Sequence, residues 1–566
     1  MKTAPIMKCS VSLPNLASGA HKSQLRCVNK PMHVAKGRSP NLAVRATVER
    51  NTLSDRGLDT DDLTVFTLDS YVTDADLVQG AEPDSDPFTS ASFDDGIMVV
   101  DNGKGKSIEI DPLAMVYTKQ FPGTKSKAMI TDFHKIIRTY PWPFVVDVGE
   151  CEGLYISTVD NQKILDFGGL YGSLLLRYNH PRMTTPEVAA KLATAATTKL
   201  ANPDFLSLQC YEYYKLLHRI RPKSFSSEKT QVYVVNSGAE AVENCMKYVL
   251  KLQQEKLESL GQVLPRARRF IYFDSGYHGR NVYTLSVTDI AHDPNIDDFN
   301  EQVVGNLKVP FPYVDHDAPH EENIARMEHT LAMVEGLIEH YGHEVVGCII
   351  EVLQGAGGNR TALPEFFTRL SLLLEEKKRY IIVDEVQTSG GCLGAVWSVD
   401  LLDLPYGPHA LASAKKCANG VVYLRQALND EGILDSTWGG SITDMTKFTE
   451  EWKIVEEENL IEAVSSKEKV LVRGLRRLQE KHGNDMVRNV RGIGLYQGFT
   501  TDEKSQICEI ALQTESLFLL GAGPSTIRFR PPLDVTIEEI ELMLSKLDVV
   551  LCRVQSFKHG LFQFAE

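Results

Sequence analysis

Ile381-Ile382-Val383-Asp384-Glu385-Val386-Gln387-Thr388 sets a carboxylate at the end of an apolar, mostly β-branched run. The run has strand length, and it does not alternate polar with apolar. A strand apolar on both faces belongs inside a sheet that helices cover on both sides, which is the habit of parallel sheets. Working outward, the same texture recurs at Gln231–Val235, Arg269–Phe273 and Val345–Val352. Between these runs the apolar spacing turns helical, over Val242–Leu257, Ile324–His340 and Pro364–Lys378. Upstream, the segment from Gly153 to Asp166 reads as two short strands about an Asp160-Asn161 turn. The expected class is α/β, with ligands held beyond the carboxyl ends of the strands.

Four junctions carry the chemistry. Asn236-Ser237-Gly238-Ala239-Glu240 follows a strand and opens a helix, so its hydroxyl and free amides suit an anion such as phosphate. Serine is also a common helix cap, and alone this signal is weak. Tyr277-His278-Gly279-Arg280 offers a ring that can stack on a flat ligand and a guanidinium that can grip a carboxylate. Read alone, it is more often a loop with a core tyrosine and a surface arginine, and His278 reads as a hydrogen-bonded spacer. Asp384 is costly to bury unless it meets a cation, and a protonated pyridine nitrogen is one such partner. The competing reading is an aspartate capping the following turn. Ser413-Ala414-Lys415-Lys416-Cys417-Ala418-Asn419-Gly420 puts a lysine in an apolar turn, where desolvation can make an amine nucleophilic. A bare Lys-Lys pair is more often solvated surface.

Composition narrows the classes. The chain has 566 residues, 43% apolar and 24% charged, with a net charge of −15. These values exclude fibrous and wholly disordered chains, and the acidic balance argues against a nucleic-acid partner. No apolar run approaches bilayer-spanning length, so no membrane partner is expected. The ten cysteines are scattered without a C-x-x-C pair, so no metal site is expected and the thiols read as reduced. There is no G-x-x-x-x-G-K-[ST] loop, which removes a nucleotide-binding reading. Residues 1–48 hold no Asp or Glu but several Lys and Arg, and lack an apolar signal core. That leader reads as an organelle transit peptide, plastid first because Val44-Arg45-Ala46 is similar to plastid cleavage sites, mitochondrion second. Residues 51–95 carry twelve acidic residues and one base, Arg56, and read as a solvated linker.

Taken in order, the four junctions resemble the class-III pyridoxal-phosphate aminotransferases, across roughly residues 125–560. The resemblance extends to Glu351-Val-Leu-Gln-Gly-Ala-Gly-Gly358, Ser436-Thr437-Trp438-Gly439-Gly440 and Thr526-Ile-Arg528-Phe-Arg530-Pro531. The Thr-Trp-Gly-Gly and Ile-Arg-Phe-Arg-Pro segments, with Asp384–Cys392, are most similar to lysine 6-aminotransferases and 4-aminobutyrate aminotransferases. The resemblance implies fold type I: a large domain with a mostly parallel seven-stranded sheet, a smaller α+β domain built from both chain ends, and a homodimer with shared active sites. The implied division is a transit peptide at 1–50, an acidic extension at 51–124, small-domain segments at 125–175 and 456–566, and the cofactor domain at 176–455.

The resemblance also implies roles. Lys415 forms the Schiff base with pyridoxal 5′-phosphate and shuttles the proton; it is preferred to Lys416 because Ala414 matches the family's small preceding residue. Asp384 pairs with the pyridine nitrogen. Tyr277 stacks on the ring, with His278 adjoining, and Gln387 meets the ring hydroxyl. Ser237, Gly238 and Ala239 cradle the phosphate, joined by Thr437 of the other subunit. Arg280 and Arg528 take substrate carboxylates. The chemistry implied is transfer of an amino group, terminal in lysine or 4-aminobutyrate, to 2-oxoglutarate or pyruvate; a same-fold aminomutase or decarboxylase is the alternative. Three residues depart from the pattern. Ala356 stands where the lysine and 4-aminobutyrate enzymes carry a Glu that pairs with the arginine matching Arg528. Val352 replaces a Pro. Asp435 replaces an Asn, and could receive a substrate ammonium or cap a loop.

Overall fold

The computed structural model describes residues 119–290, 305–429 and 432–558, with further backbone strands at 91–94, 97–101, 107–110, 116–117 and 563–564. The proposed transit peptide and most of the acidic extension lie outside the described residues.

A seven-stranded sheet forms the centre. In chain order its strands are β1 (Gln231–Val235), β2 (Arg269–Phe273), β3 (Leu307–Val309), β4 (Val345–Ile350), β5 (Tyr380–Asp384), β6 (Ala410–Ser413) and β7 (Gly420–Leu424). Their spatial order is β1-β7-β6-β5-β4-β2-β3. The pairs β3–β2, β2–β4, β4–β5 and β5–β6 are parallel, whereas β7 runs antiparallel to both β6 and β1. Six strands therefore point one way, and their carboxyl ends share an edge with the start of β7. The β4–β5 register sets Gly347 against Tyr380, and a Cβ at Gly347 would lie 2.2 Å from the Tyr380 carbonyl oxygen. Only glycine lets these central strands close.

Both faces are covered, as the unalternating runs require. Ile349, Ile382, Ala412 and Val422 pack with Val242, Met246 and Val249 of helix α1 (Gly238–Ser259). Their neighbours Cys348, Ile381, Leu411 and Val421 turn to the opposite cluster, with helices α2 (His320–Tyr341) and α3 (Pro364–Glu376). α1 starts four residues before its apolar periodicity does. Ser237 accepts from the Glu240 amide at 3.2 Å, and the Glu240 carboxylate reaches back to the Asn236 amide at 2.9 Å. The polar first turn is thus held by its caps rather than by packing.

A second body of structure is antiparallel. Arg488–Ile493, Tyr496–Thr500, Thr526–Arg528 and Leu520–Ala522 pair in that order, and helices Val464–His482, Lys504–Glu515 and Ile537–Lys558 accompany them. Leu517–Phe518 pairs in parallel with Lys163–Asp166, itself antiparallel to Tyr155–Ser157. The two strands expected about Asp160-Asn161 form there, with Asn161 at a positive φ of 63°. Segments from both ends of the chain therefore share one small sheet.

Candidate active site

A cavity of about 380 Å³ opens at the carboxyl edge of the main sheet. Its lining gathers Ser237, Gly238, Ala239, Tyr277, His278, Arg280, Asp384 and Lys415. These residues follow β1, β2, β5 and β6, so the strand order collects four junctions that are nearly 180 residues apart in sequence. The Ser237–Ala239 turn begins α1, whose first amides have no helical acceptors and whose dipole favours an anion. Only glycine fits beside that turn: a Cβ on Gly238 would lie 2.8 Å from Val386, and one on Gly279 would lie 2.8 Å from the Ala239 Cβ. Arg280 is exposed and follows Gly279, at the α1 end of the cavity.

Asp384 uses both oxygens. Oδ1 accepts from the Val386 amide at 2.9 Å, capping the turn; Oδ2 meets His278 Nδ1 at 2.8 Å. Both side chains are buried. The two readings of this aspartate are therefore compatible, since a carboxylate has about four acceptor directions and only two are taken. Sequence reasoning assigned Glu351 no role, and the structure sets it beside Tyr277 and within the field of Asp384. It is a second buried carboxyl group, and burial together with the Asp384 charge pushes its pKa well up. Its Oε2 accepts from the Tyr277 amide at 3.4 Å. The one available signal was its position directly after the apolar strand β4.

The two lysines separate cleanly. Lys415 is half-buried with φ of 48°, and desolvation, then the Arg528 and Lys416 charges, pull its pKa from 10.5 to about 7. Lys416 points elsewhere. Its Nζ donates to the Gln387 carbonyl at 3.0 Å and lies 4.6 Å from the centre of the Tyr496 ring. Burial pulls the Lys416 pKa down, but Tyr496 and Cys392 more than offset this and leave it raised. Lys415 is the amine that can be neutral near pH 7.

Arg528 is 6% exposed, and its Nη1 donates to the Gly355 carbonyl at 2.9 Å. Burial lowers its pKa to about 10. Arg530, 1% exposed, donates to Asn359 Oδ1 at 2.5 Å and stacks 4.1 Å over Tyr496. Among the described residues neither guanidinium forms an ion pair, and the Nε atoms of both are buried without a hydrogen-bond partner. Ala356 adjoins Gly355 and is half-buried, so no acid at that position reaches Arg528.

Four expected site residues are not in the cavity lining of this chain: the buried Arg528 just described, Gln387, Thr437 and Asp435. Gln387 sends its Nε2 to the Tyr171 carbonyl at 3.2 Å, and its Oε1 accepts from Arg530 at 3.4 Å. Thr437 is exposed on the surface beside Trp438. Asp435 is exposed too, and its charge is felt at Lys247 and Tyr214 rather than at Lys415. For the last two, the position past β7 on a surface segment is the reason.

Known proteins now bear on this geometry. The profile described as aminotransferase class-III matches residues 138–551. The chain belongs to the class-III aminotransferase family. As a member it is a pyridoxal-phosphate-dependent transaminase. An L-lysine-epsilon aminotransferase from Mycobacterium bovis is 29% identical over 423 residues, 71% of this chain and 90% of that protein. A 4-aminobutyrate aminotransferase from Schizosaccharomyces pombe is 26% identical, over 77% of this chain and 95% of its own length. The solved lysine aminotransferase of M. tuberculosis superposes with a TM-score of 0.69 at 25% identity, covering 76% of this chain and 99% of that one.

The cavity's donor set fits such a cofactor. An anion-binding helix start closes one end, a buried carboxylate stands at another wall, and a lysine with a depressed pKa lies between elements that end at both. The half-buried Tyr277 ring supplies a flat contact.

Proposed function

We propose that this aminotransferase moves the terminal amino group of an amino acid or diamine, such as lysine or 4-aminobutyrate, to a keto acid, either 2-oxoglutarate or pyruvate. The desolvated amine of Lys415, facing the same cavity as Asp384 and the start of α1, carries the reading. The names of the relatives supply the substrate class. When bound, pyridoxal phosphate supplies an electron sink for the carbanion formed at the carbon bearing the amino group.

The chain's own residues do the rest. Ser237, Gly238 and Ala239 hold the phosphate by amides and the helix dipole. Asp384, kept in place by His278 and the Val386 amide, would present negative charge to the pyridine nitrogen and favour its protonated form. Tyr277 stacks on the ring. Lys415 Nζ would hold the cofactor and, once the amino donor has displaced it, would take and return a proton at the substrate carbon; desolvation, which draws the free amine's pKa down to about 7, suits it to that work. Arg528 receives the carboxylate of the keto acid, and Arg280 a second one.

We assign the small domain to 125–175 and 456–566, and the cofactor domain to 176–455; strand pairing between Leu517–Phe518 and Lys163–Asp166 supports this. A homodimer is part of the proposal. Phe205, Leu206, Leu208 and Trp438 are 51% to 72% exposed, and the Asn202 amide donates to the Trp438 carbonyl, which brings the first segment to the neighbour of Thr437. Covering these residues with a second copy would carry Thr437 to the partner's phosphate. The acid-free leader reads as an organelle address, plastid first and mitochondrion second; the related mouse 4-aminobutyrate aminotransferase is named mitochondrial.

The test is a donor panel. Purified holoenzyme is mixed with lysine, 4-aminobutyrate, ornithine or alanine without acceptor, and the cofactor's visible absorption is followed. Bleaching by lysine or 4-aminobutyrate with release of the matching aldehyde is expected. Bleaching by alanine alone would remove the terminal-amine assignment.

A further inference from the structure

Away from the cavity, the last residue of helix Val464–His482 meets the last long helix, Ile537–Lys558. His482, Asp548 and Cys552 offer one ligand atom each, and these atoms lie within 4.8 Å of one another. Asp548 and Cys552 are four residues apart, so they share a helix face. His482 is buried at the seam, while Asp548 keeps 31% of its side chain in solvent.

The hydrogen bonds fix the histidine's chemistry. Gln555 Nε2 donates to the His482 carbonyl at 3.1 Å, which orients the amide. Gln555 Oε1 therefore faces His482 Nδ1, at 3.0 Å, and Nδ1 must carry a hydrogen. The other nitrogen, Nε2, faces Asp548 Oδ1 at 2.5 Å. A neutral imidazole has one N–H, so its Nε2 lone pair would point at a carboxylate oxygen. Some cation has to sit on Nε2: a proton or a metal ion.

We propose that His482 Nε2, Asp548 and Cys552 Sγ form a zinc site that clamps the two helices, with water completing the coordination. Imidazole, carboxylate and thiolate are a donor set that zinc accepts, and thiolate disfavours magnesium and calcium. A histidine ligand ordinarily donates its second N–H to a carbonyl, which is what Gln555 provides. Tetrahedral zinc with bonds of 2.0–2.3 Å needs ligand atoms roughly 3.4–3.7 Å apart. Small side-chain rotations open the His482–Asp548 contact and draw in the sulfur. Binding breaks the Cys552 S–H and the Nε2–H of the imidazolium, and both protons pass to solvent. Lys481, at 2.7 Å from Asp548 Oδ2, can keep that contact while Oδ1 binds the ion, and its side chain is exposed enough to withdraw.

Chelator-treated, desalted holoenzyme is titrated with zinc, and separately with cobalt(II) as a spectroscopic probe. About one ion per chain is expected, with a sulfur-to-cobalt band in the near ultraviolet that Cys552→Ser removes. His482→Gln should weaken zinc binding at least tenfold, and Gln555→Leu about 10–100-fold. Transaminase activity of the folded Cys552→Ser protein should be unchanged, since none of these residues lines the cavity. Circular dichroism and retained cofactor absorption establish that each variant is folded. Stoichiometry well below one ion per chain, or a cobalt spectrum identical in wild type and Cys552→Ser, would overturn the site and leave a proton on Nε2.

Discussion

His278 Nδ1 lies 2.8 Å from Asp384 Oδ2, with both side chains almost fully out of water. An ionised aspartate only accepts, so the ring donates from Nδ1, and each residue fixes the other's orientation. The charge on Asp384 then does electrostatic work in a site of low dielectric. Asp384→Asn keeps the size and the turn-capping oxygen but removes the charge. Loss of a preorganised charge of this kind ordinarily costs about 10²–10³ in kcat. His278→Ala should cost less, as it acts only by positioning Asp384. Steady-state rates decide the matter; an Asp384→Asn enzyme with more than a tenth of wild-type kcat would contradict the assignment.

The neighbouring lysines give the sharpest contrast. Lys415→Ala should abolish turnover and the visible absorption of bound cofactor. Lys416→Ala should retain both while losing thermal stability, because it removes the bond to the Gln387 carbonyl and the contact with Tyr496. Equal loss of activity in both variants would refute the choice.

The depressed pKa of Lys415 has a stability signature of its own. Between about pH 7 and 10.5 the unfolded chain binds a proton at this amine that the folded chain does not. The cofactor-free protein should therefore gain stability relative to Lys415→Met as pH rises through that window, and show no further change from this group below pH 7. Paired denaturant melts at pH 6.5, 8 and 9.5 measure it. A difference that stays constant across the three, or moves the other way, would mean the amine is not desolvated.

Much of this was legible in the sequence, for reasons that differ by residue. Ile381–Asp384 announced itself because a fully buried strand needs an unbroken apolar run, and the carboxylate at its end had nowhere else to be. Ser237 to Glu240 was readable as a helix start, although periodicity began only at Val242, because capping and not packing holds the first turn. Glu351 was quoted among the motifs without a role, since sequence does not show that its carboxyl group would share Asp384's field. Gln387 lies three residues past the strand end, where the turn carries its side chain toward Tyr171 and Arg530. Asp435 and Thr437 are exposed past β7, where the proposed dimer would cover them, and no single-chain pattern encodes such a partner.

The apolar patch at Phe205, Leu206 and Leu208 makes a quaternary prediction. Leu208 is 72% exposed in one chain, so a charge there is tolerable in the monomer and costly at an interface. Leu208→Glu should shift the protein from dimer to monomer in size-exclusion chromatography with light scattering. Activity should fall at least tenfold, because Thr437 no longer reaches a partner's site. A Leu208→Glu protein that remains dimeric and active would place the interface elsewhere.

Ala356 tests how the site distinguishes its substrates. Arg528 is buried with an unpartnered Nε and no ion pair among the described residues, although the lysine and 4-aminobutyrate enzymes it resembles carry an acid at the position of Ala356. An uncovered guanidinium favours molecules that bring a carboxylate to it. A donor presenting only its terminal amine leaves that charge unanswered, which disfavours binding. Ala356→Glu supplies an internal partner. The ratio of kcat/KM for 4-aminobutyrate to that for alanine should then rise about tenfold, equivalent to about 1.4 kcal/mol, while KM for the keto acid also rises because the acceptor must displace the new glutamate. Arg528→Met should raise the keto-acid KM and also raise the donor ratio, because it removes both alanine's carboxylate partner and the charge that 4-aminobutyrate leaves unanswered. If Ala356→Glu leaves the donor ratio unchanged while the protein folds and holds its cofactor, Arg528 does not read the substrate carboxylate in this chain.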